Sequence, residues 1–369
     1  GRKSSGKVRT PRLPDELIWE ILVRVTVKSL LEFKCVCKSW KTLISHPQFV
    51  KEHLLRTSTH MTHQRLISPN SDYPFKIASF SLQSLLQNPS TQAEPHFIQM
   101  RAMFRILGSC HGLICVEYFL KGYVQLWNPS IGIASKKFTP HSDAGCRYIT
   151  YHGFGYDHVN DKYKLFIFFA YSQPAVTIIY TFGVNATNCS KVIQNFPCDG
   201  TKENGIFVSG TGTLNWVTYD VPRWFIISLD LVTETYGEVL LPHVGSLACR
   251  APELFLLSNC LCVNMYNDHT DDWGLWQMKE YGVQDSWTKL MSISIFQVFS
   301  PLSSWTWLYY RHVPLCISEN GMVLIQVHAD SQLVLFYSNA GSLDYTILSG
   351  DHRWCDVQTY HESLVSPQF

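Results

Sequence analysis

Gly108-Ser109-Cys110-His111-Gly112-Leu113-Ile114-Cys115-Val116, followed by Val124-Gln125-Leu126-Trp127-Asn128-Pro129, sets the pattern for most of this chain. A glycine-bearing apolar run, a polar turn and a second apolar run read as neighbouring strands, with Gly, Asn and Pro marking their ends. The theme recurs. Phe154-Gly155-Tyr156-Asp157 and Tyr163-Lys164-Leu165-Phe166 precede Val176-Thr177-Ile178-Ile179-Tyr180. Gly212-Thr213-Leu214-Asn215-Trp216-Val217 precedes Phe225-Ile226-Ile227-Ser228-Leu229-Asp230. Leu261-Cys262-Val263-Asn264-Met265 precedes Trp273-Gly274-Leu275-Trp276-Gln277-Met278, and Gly321-Met322-Val323-Leu324-Ile325 precedes Leu333-Val334-Leu335-Phe336-Tyr337.

The repeat spacing is roughly 50 residues, a kelch-like period. Four-stranded antiparallel units repeated in this way suit a β-propeller of five or six blades, regular or irregular, because radial closure leaves only short protected edges. The glycines fit inner strands where backbones approach closely. Closing the ring requires a strand from about residues 64–82 to join the run Val357–Val365. An open β-sandwich or a pair of sheets is the alternative. Composition agrees with a mainly β chain: 369 residues, 46% hydrophobic and 14% aromatic, are ample for a large core.

Residues 13–55 differ in kind. Pro14 with Asp15 and Glu16 marks a first helical turn, where proline loses no needed hydrogen bond and acids meet the positive dipole end. Leu17, Ile18, Ile21, Leu22 and Val25 form one amphipathic stripe. Val27, Leu30, Leu31 and Phe33 begin a second, with Cys35, Val36, Trp40, Leu43 and Ile44 following, and a short third element starts at His46-Pro47. So small a helical unit carries more large apolar residues than its own core can hold, which predicts an apolar face kept for a partner. A helical cap on the β-domain is the alternative.

The order of these residues closely resembles the F-box of plant F-box proteins. The match runs through Leu13-Pro14-Asp15-Glu16-Leu17-Ile18-Trp19-Glu20-Ile21-Leu22-Val23-Arg24-Val25, then 27–40 and 43–49. The resemblance implies docking on a Skp-type adaptor, and through it on a cullin and a RING protein. The residues matching the adaptor-contacting pattern are Leu13, Pro14, Leu17, Ile21, Leu22, Leu30, Leu31, Val36, Cys37 and Trp40. Val25-Thr26 stands where the family usually has Leu-Pro, which predicts a looser inter-helix turn and a weaker grip. Gly108–Cys115 with Leu126–Ser130, Phe154–Asp157 with Asp161–Lys164, and Tyr360–Val365 resemble the F-box-associated domain, a kelch-like module that the family uses to bind the protein to be ubiquitinated. The expected organisation is a disordered basic tail (1–11), an F-box of three to four short helices (12–56), a linker with the first strands (57–103), and an F-box-associated, propeller-like substrate-binding domain (104–369).

Several functions are disfavoured. A net charge of +1 gives no field for a polyanion, so nucleic acid is not expected as a partner. The cluster Arg2, Lys3, Lys7, Arg9 and Arg12 reads as a solvated tail, with a nuclear-import or phosphate-contacting patch as the alternative. No apolar run is long enough for a bilayer and no signal peptide is visible, so a membrane is not expected either; the first residue is Gly1, which leaves room for residues upstream. The sequons at Asn185 and Asn188 would matter only in a secreted protein. Most of the 12 cysteines sit in apolar runs, consistent with reduced thiols in the cytoplasm or nucleus.

Catalytic chemistry and cofactors are not expected. Cys35-x-Cys37 and Cys260-x-Cys262 lack zinc spacing. His111, His152, His158, His269 and His312 face no nucleophile in a recognisable elbow. The Gly210–Gly212 stretch is too short for a dinucleotide loop, and Asp268, His269, Asp271 and Asp272 read as a solvated turn before they read as a cation site. Target recognition is expected on loops of one face, through Tyr148, Tyr151, Trp224, Trp273, Trp305, Trp307, Tyr309, Tyr310 and Arg311, since Trp, Tyr and Arg dominate binding hot spots. Core or inter-blade packing is the alternative for each. A substrate receptor of a Skp–cullin–F-box ligase leads. A propeller enzyme or carbohydrate-binding protein with a helical cap, and an F-box scaffold outside a ligase, are the competing readings.

Overall fold

Turn residues and apolar runs fold as a ring of sheets in the computed structural model, which describes residues 13–58, 60–70, 74–89, 94–140, 149–170, 175–183, 189–193, 196–197, 204–220, 223–243, 251–267, 269–270, 272–294, 312–327, 331–339, 342–348 and 353–368. Four helices lead: α1 (Asp15–Leu22), α2 (Val27–Phe33), α3 (Lys38–Ile44) and α4 (Pro47–Thr57). Strands β1 (Gln64–Asn70), β2 (Lys76–Ser81) and β3 (His96–Gln99) then form three quarters of a first blade, with α5 (Leu82–Gln87) between the last two. The second blade is β4 (Arg105–Cys110), β5 (Leu113–Tyr118), β6 (Tyr123–Asn128) and β7 (Ile133–Ala134). The third is β8 (Tyr151–Asp157), β9 (Lys162–Phe169), β10 (Val176–Phe182) and β11 (Cys189–Ile193). The fourth is β12 (Ile206–Val208), β13 (Thr213–Asp220), β14 (Arg223–Asp230) and β15 (Thr235–Val239). β16 (Glu253–Leu257), β17 (Cys260–Asn267), β18 (Asp272–Met278) and β19 (Trp287–Ser294) make the fifth, and β20 (His312–Ile317), β21 (Val323–Val327), β22 (Gln332–Asn339) and β23 (Ser342–Ile347) the sixth.

The last strand, β24 (Gln358–His361), pairs antiparallel with β1 and supplies the missing inner strand of the first blade. Around the ring β4 lies against β24 and β8, β8 against β12, β12 against β16, and β16 against β20. The fold is therefore a six-blade propeller, closed by the two segments expected to meet. Residues 57–103 hold the three outer strands of a complete blade, more structure than a linker with first strands suggests.

Each blade buries its faces against its neighbours. Ile67, Ile77, Ile106 and Ile114 join the first and second blades, and Leu107, Leu126, Phe154 and Leu165 the second and third. Phe166, Trp216 and Leu229 join the third and fourth, and Val217, Val239 and Val263 the fourth and fifth. Cys262, Leu275, Ile325 and Phe336 join the fifth and sixth, and Leu66, Phe80, Leu324 and Leu335 complete the circle. Strands sandwiched in this way are apolar on both sides, which is why β5 and β9 read as continuous apolar runs rather than alternating ones.

Closure depends on polar detail. The Asn128 amide, from the Trp127-Asn128-Pro129 stretch, donates to the carbonyls of Ser363 (3.1 Å) and Val365 (2.8 Å), while its oxygen accepts from the Ser130 amide (2.9 Å). Arg65 on β1 reaches the Glu362 carboxylate at 3.5 Å. Gly112 turns β4 into β5 at φ +78°, where a Cβ would come within 2.3 Å of Ser363 Oγ and 2.6 Å of the His361 carbonyl.

Gly112→Ala therefore adds backbone strain and a clash at the closure. It is expected to cost about 4 kcal/mol in urea unfolding. Gly122→Ala, at φ +68° but facing open space, should cost only about 1–2 kcal/mol.

Candidate functional site

Helix α1 divides its apolar residues between two faces. Leu17 and Ile21 share one helical face and stand 50% and 55% exposed, and Leu13, just before the helix, is 57% exposed. Val36, beyond α2, is 65% exposed, and Pro14 and Cys37 are exposed too. The other face of α1 sends Leu22 and Val23 into a small core with Val27, Leu30, Ile44 and Phe49. Leu31 and Trp40 are half-buried at its margin, Trp40 edge-on to Phe33 at 5.6 Å. Two adaptor-contact expectations need correction: Leu22 and Leu30 are fully enclosed beneath the surface and hold the helices together instead.

The turn at Val25-Thr26 is well held. Thr26 Oγ1 accepts from the Ser29 amide as the N-cap of α2, and His53 Nε2 donates to the Val25 carbonyl at 2.8 Å. A threonine cap and a histidine clamp do here what proline's fixed φ does elsewhere. The turn that lacks the proline is thus held by two other contacts.

The helical unit is fastened to the propeller. Leu364 and Ile131 enter its core, and Lys51 pairs with Asp161 at 2.7 Å. His361 Nε2 donates to the Thr57 carbonyl at 2.7 Å, and the Glu362 amide to the His63 carbonyl at 2.8 Å. His53, His63 and His361 form a column with ring centroids 5.8 Å apart at each step. Burial depresses all three imidazoles below their ordinary pKa; neighbouring histidines push His63 and His361 the same way, and His63 falls to about 4, while the hydrogen bond to Val25 opposes the shift at His53. The column is therefore neutral at physiological pH.

Asp161 lies between β8 and β9, and Ile131 between β6 and β7. Successive antiparallel connections alternate ends, so the helices occupy the end of the ring bearing these turns. The β5–β6, β9–β10, β13–β14 and β17–β18 turns, with the blade-to-blade connections, are at the opposite end.

Of the residues expected to touch a target, Tyr148, Trp305, Trp307, Tyr309, Tyr310 and Arg311 lie outside the described residues. Tyr151 and Trp273 are corrected: they are strand residues only 8% and 9% exposed, Tyr151 packed on Phe168 and Phe196, and Trp273 on Tyr266 and His312. Both belong to inter-blade packing, because a strand that ends beside a loop still buries its alternate side chains. Trp224 is half-buried against Tyr219 (4.8 Å) beside the β13–β14 turn. Sequence reading missed Phe119 and Leu120, which are 43% and 72% exposed on the β5–β6 turn. The signal was present: two large apolar residues immediately before Lys121-Gly122, between strands that were already recognised.

Among the described residues no group of three or more His, Cys, Asp or Glu is arranged to hold a metal ion, and no helix is long and apolar enough to cross a membrane. Cys262 and Cys316 are buried thiols whose pKa burial raises to about 12, so they behave as small core hydrophobes.

Comparison with known proteins follows this division of the chain. The model of the F-box domain matches residues 11–52, and that of the F-box associated beta propeller domain residues 60–367. The chain is 30% identical to the F-box/kelch-repeat protein At3g23880 of Arabidopsis thaliana over 370 residues, covering 96% of each. It is 24% identical to the F-box protein CPR1 of the same plant, covering 88% of this chain and 81% of that one. Among solved structures it overlaps TolB from Acinetobacter baumannii with a TM-score of 0.47 and 12% identity, covering 80% of this chain and 66% of that one.

The histidine column gives stability a pH dependence. Histidines in the unfolded chain titrate near 6.5 but His63 in the folded chain only near 4, so between these values the unfolded state binds more protons. Stability is level above pH 6.5 and falls as the pH drops from 6.5 to 4. Urea midpoints should be lower at pH 5.0 than at 7.5. His63→Asn should shallow that fall without abolishing it, because His111 is likewise depressed to about 4.

Proposed function

The chain belongs to the F-box proteins that carry an F-box associated β-propeller, and from that premise we propose that it is the substrate-recognition subunit of a Skp–cullin–F-box ubiquitin ligase. The observation that carries this reading is the exposure of Leu13, Leu17, Ile21 and Val36 on a helical unit whose own core is already complete. Several large apolar side chains left exposed on a well-packed unit favour a protein partner. The partner is a Skp-type adaptor, engaged by Leu13, Pro14, Leu17, Ile21, Leu31, Val36, Cys37 and Trp40.

The adaptor brings the cullin and RING protein, whose partner enzymes do the chemistry. This chain acts as a non-catalytic receptor. Its contacts between helices and propeller hold the stripe at a fixed attitude to the ring, so a target held at the far end is presented in a defined position. Target recognition falls to the connections at that end, with Trp224 as a candidate; Tyr148, Trp305, Trp307, Tyr310 and Arg311, outside the described residues, are candidates from the sequence. Reduced, buried thiols suit a cytoplasmic or nuclear setting.

The test is capture of the full chain by a purified Skp-type adaptor, with a consensus F-box protein as control. Burying a leucine-sized side chain contributes about 1.5–3 kcal/mol, so Leu17→Glu with Ile21→Glu should weaken capture at least about 100-fold. The thermal midpoint of the propeller should stay unchanged. Failure of the wild-type chain to bind, while the control binds, sinks the proposal.

A further inference from the structure

The chain as a whole is nearly neutral, but its charge is unevenly placed. Between Glu94 and Asp143 the sole acid is Glu117, against Arg101, Arg105, Lys121, Lys136 and Lys137. Glu117 is buried and bound by Arg105 at 2.7 Å, so this pair cancels within the blade. Arg101, Lys121, Lys136 and Lys137 remain, all exposed and with no ion pair among the described residues.

Backbone geometry gathers them. After β7 the chain continues beside β6, with Val124 and Phe138 exchanging hydrogen bonds of 2.8 and 3.0 Å. That pairing carries Lys136 and Lys137 back toward the β5–β6 turn, and Lys137 Nζ rests 4.5 Å from the centroid of the Tyr123 ring. Lys121 is on the turn itself, directly after Phe119 and Leu120, where Gly122 at φ +68° reverses the chain. Arg101 lies close enough to Tyr118 to act on its hydroxyl. Two exposed apolar side chains thus share one end of the blade with cations that have no ion pair among the described residues, at the opposite end of β6 from the turn that meets the helical unit.

We propose that this rim of the second blade docks an acidic segment of the target protein, whose carboxylates face Arg101, Lys121, Lys136 and Lys137 while an apolar side chain packs on Phe119 and Leu120. The assignment rests on the receptor reading above and narrows its target class. Charge complementarity selects the segment, and the apolar pair fixes its register. Three of the four cations are lysines, dispersed point charges, and Arg105 is held by Glu117; dispersed carboxylates match such a surface better than one phosphate does. A nucleic acid fits less well. Tyr118 is 8% exposed, and Tyr123 is pressed on it at 4.7 Å beneath Lys137, so neither ring offers a face for a base.

Fluorescence anisotropy on the full chain tests this with four probes: a 15-residue Asp/Glu-rich peptide with a central Leu, the same peptide with Ser for Leu, a Lys-rich counterpart, and oligo(U). The acidic Leu peptide should bind best and weaken with salt. Leu120→Asp, and separately Lys121→Glu with Lys137→Glu, should each weaken it about tenfold, the order expected for loss of an apolar anchor or of two charge contacts. The charge-reversed variant should gain affinity for the Lys-rich peptide, a readout that misfolding cannot mimic. Equal binding of acidic and Lys-rich peptides by the wild type, indifference to both variants, or tighter binding of oligo(U) overturns the proposal. Adaptor capture on the same samples separates the two readings. Acidic-peptide binding without adaptor capture supports the patch and sinks the receptor reading, whereas adaptor capture without charge-dependent peptide binding overturns the patch alone.

Discussion

The pairing of β24 with β1 is the contact on which the rest of the architecture depends. A blade has two apolar faces and can bury them only against the blades beside it. If the inner strand of the first blade were missing, the cores shared with both of its neighbours would lose a wall and their leucines and isoleucines would meet water. Each such side chain is worth about 1.5–3 kcal/mol when buried, so an open ring forfeits much more than one strand's hydrogen bonds. Asn128, Ser363 and Gly112 gather at this seam because backbone carbonyls and a tight turn meet there with no space for water to satisfy them.

The same C-terminal segment has a second task. His361, at the end of the closing strand, and Leu364, just past it, bind the N-terminal helices through the Thr57 carbonyl and the helical core. Ring closure and helix docking are therefore one structural event. The exposed residues of α1 and the Phe119–Leu120 rim are thus mounted on one body, at the helical end and at the opposite end of the strands.

Much of this was legible in the sequence, for physical reasons that differ by region. The paired strands announced themselves because turn glycines and apolar runs are local signals, and the helical stripe because a 3.6-residue period is local too. Burial was harder. Leu17 and Leu22 are equally apolar, and only the packed helices tell the exposed one from the enclosed one. Tyr151 and Trp273 misled because hot-spot composition says nothing of which side of a strand a ring occupies. Thr26 read as a loss against proline until its side chain was seen capping α2 and His53 was seen clamping the carbonyl before it, a contact 28 residues distant. The rim of Phe119 and Leu120 went unread because its cations come from separate loops that converge only in the folded blade.

Closure by the final strand also imposes an order in time. Residues 64–99 leave the ribosome early but cannot complete their sheet until Gln358–His361 follow, nearly three hundred positions later. Throughout synthesis the outer strands of the first blade hold an unpaired edge, a hazard that calls for chaperone cover. A prematurely terminated chain lacks the seam and, with it, the residues that seat the helices. Such a fragment keeps Lys51–Asp161 and Ile131 but loses the His361 and Leu364 contacts to the helices, so the last strand ties ring closure to the seating of the helices.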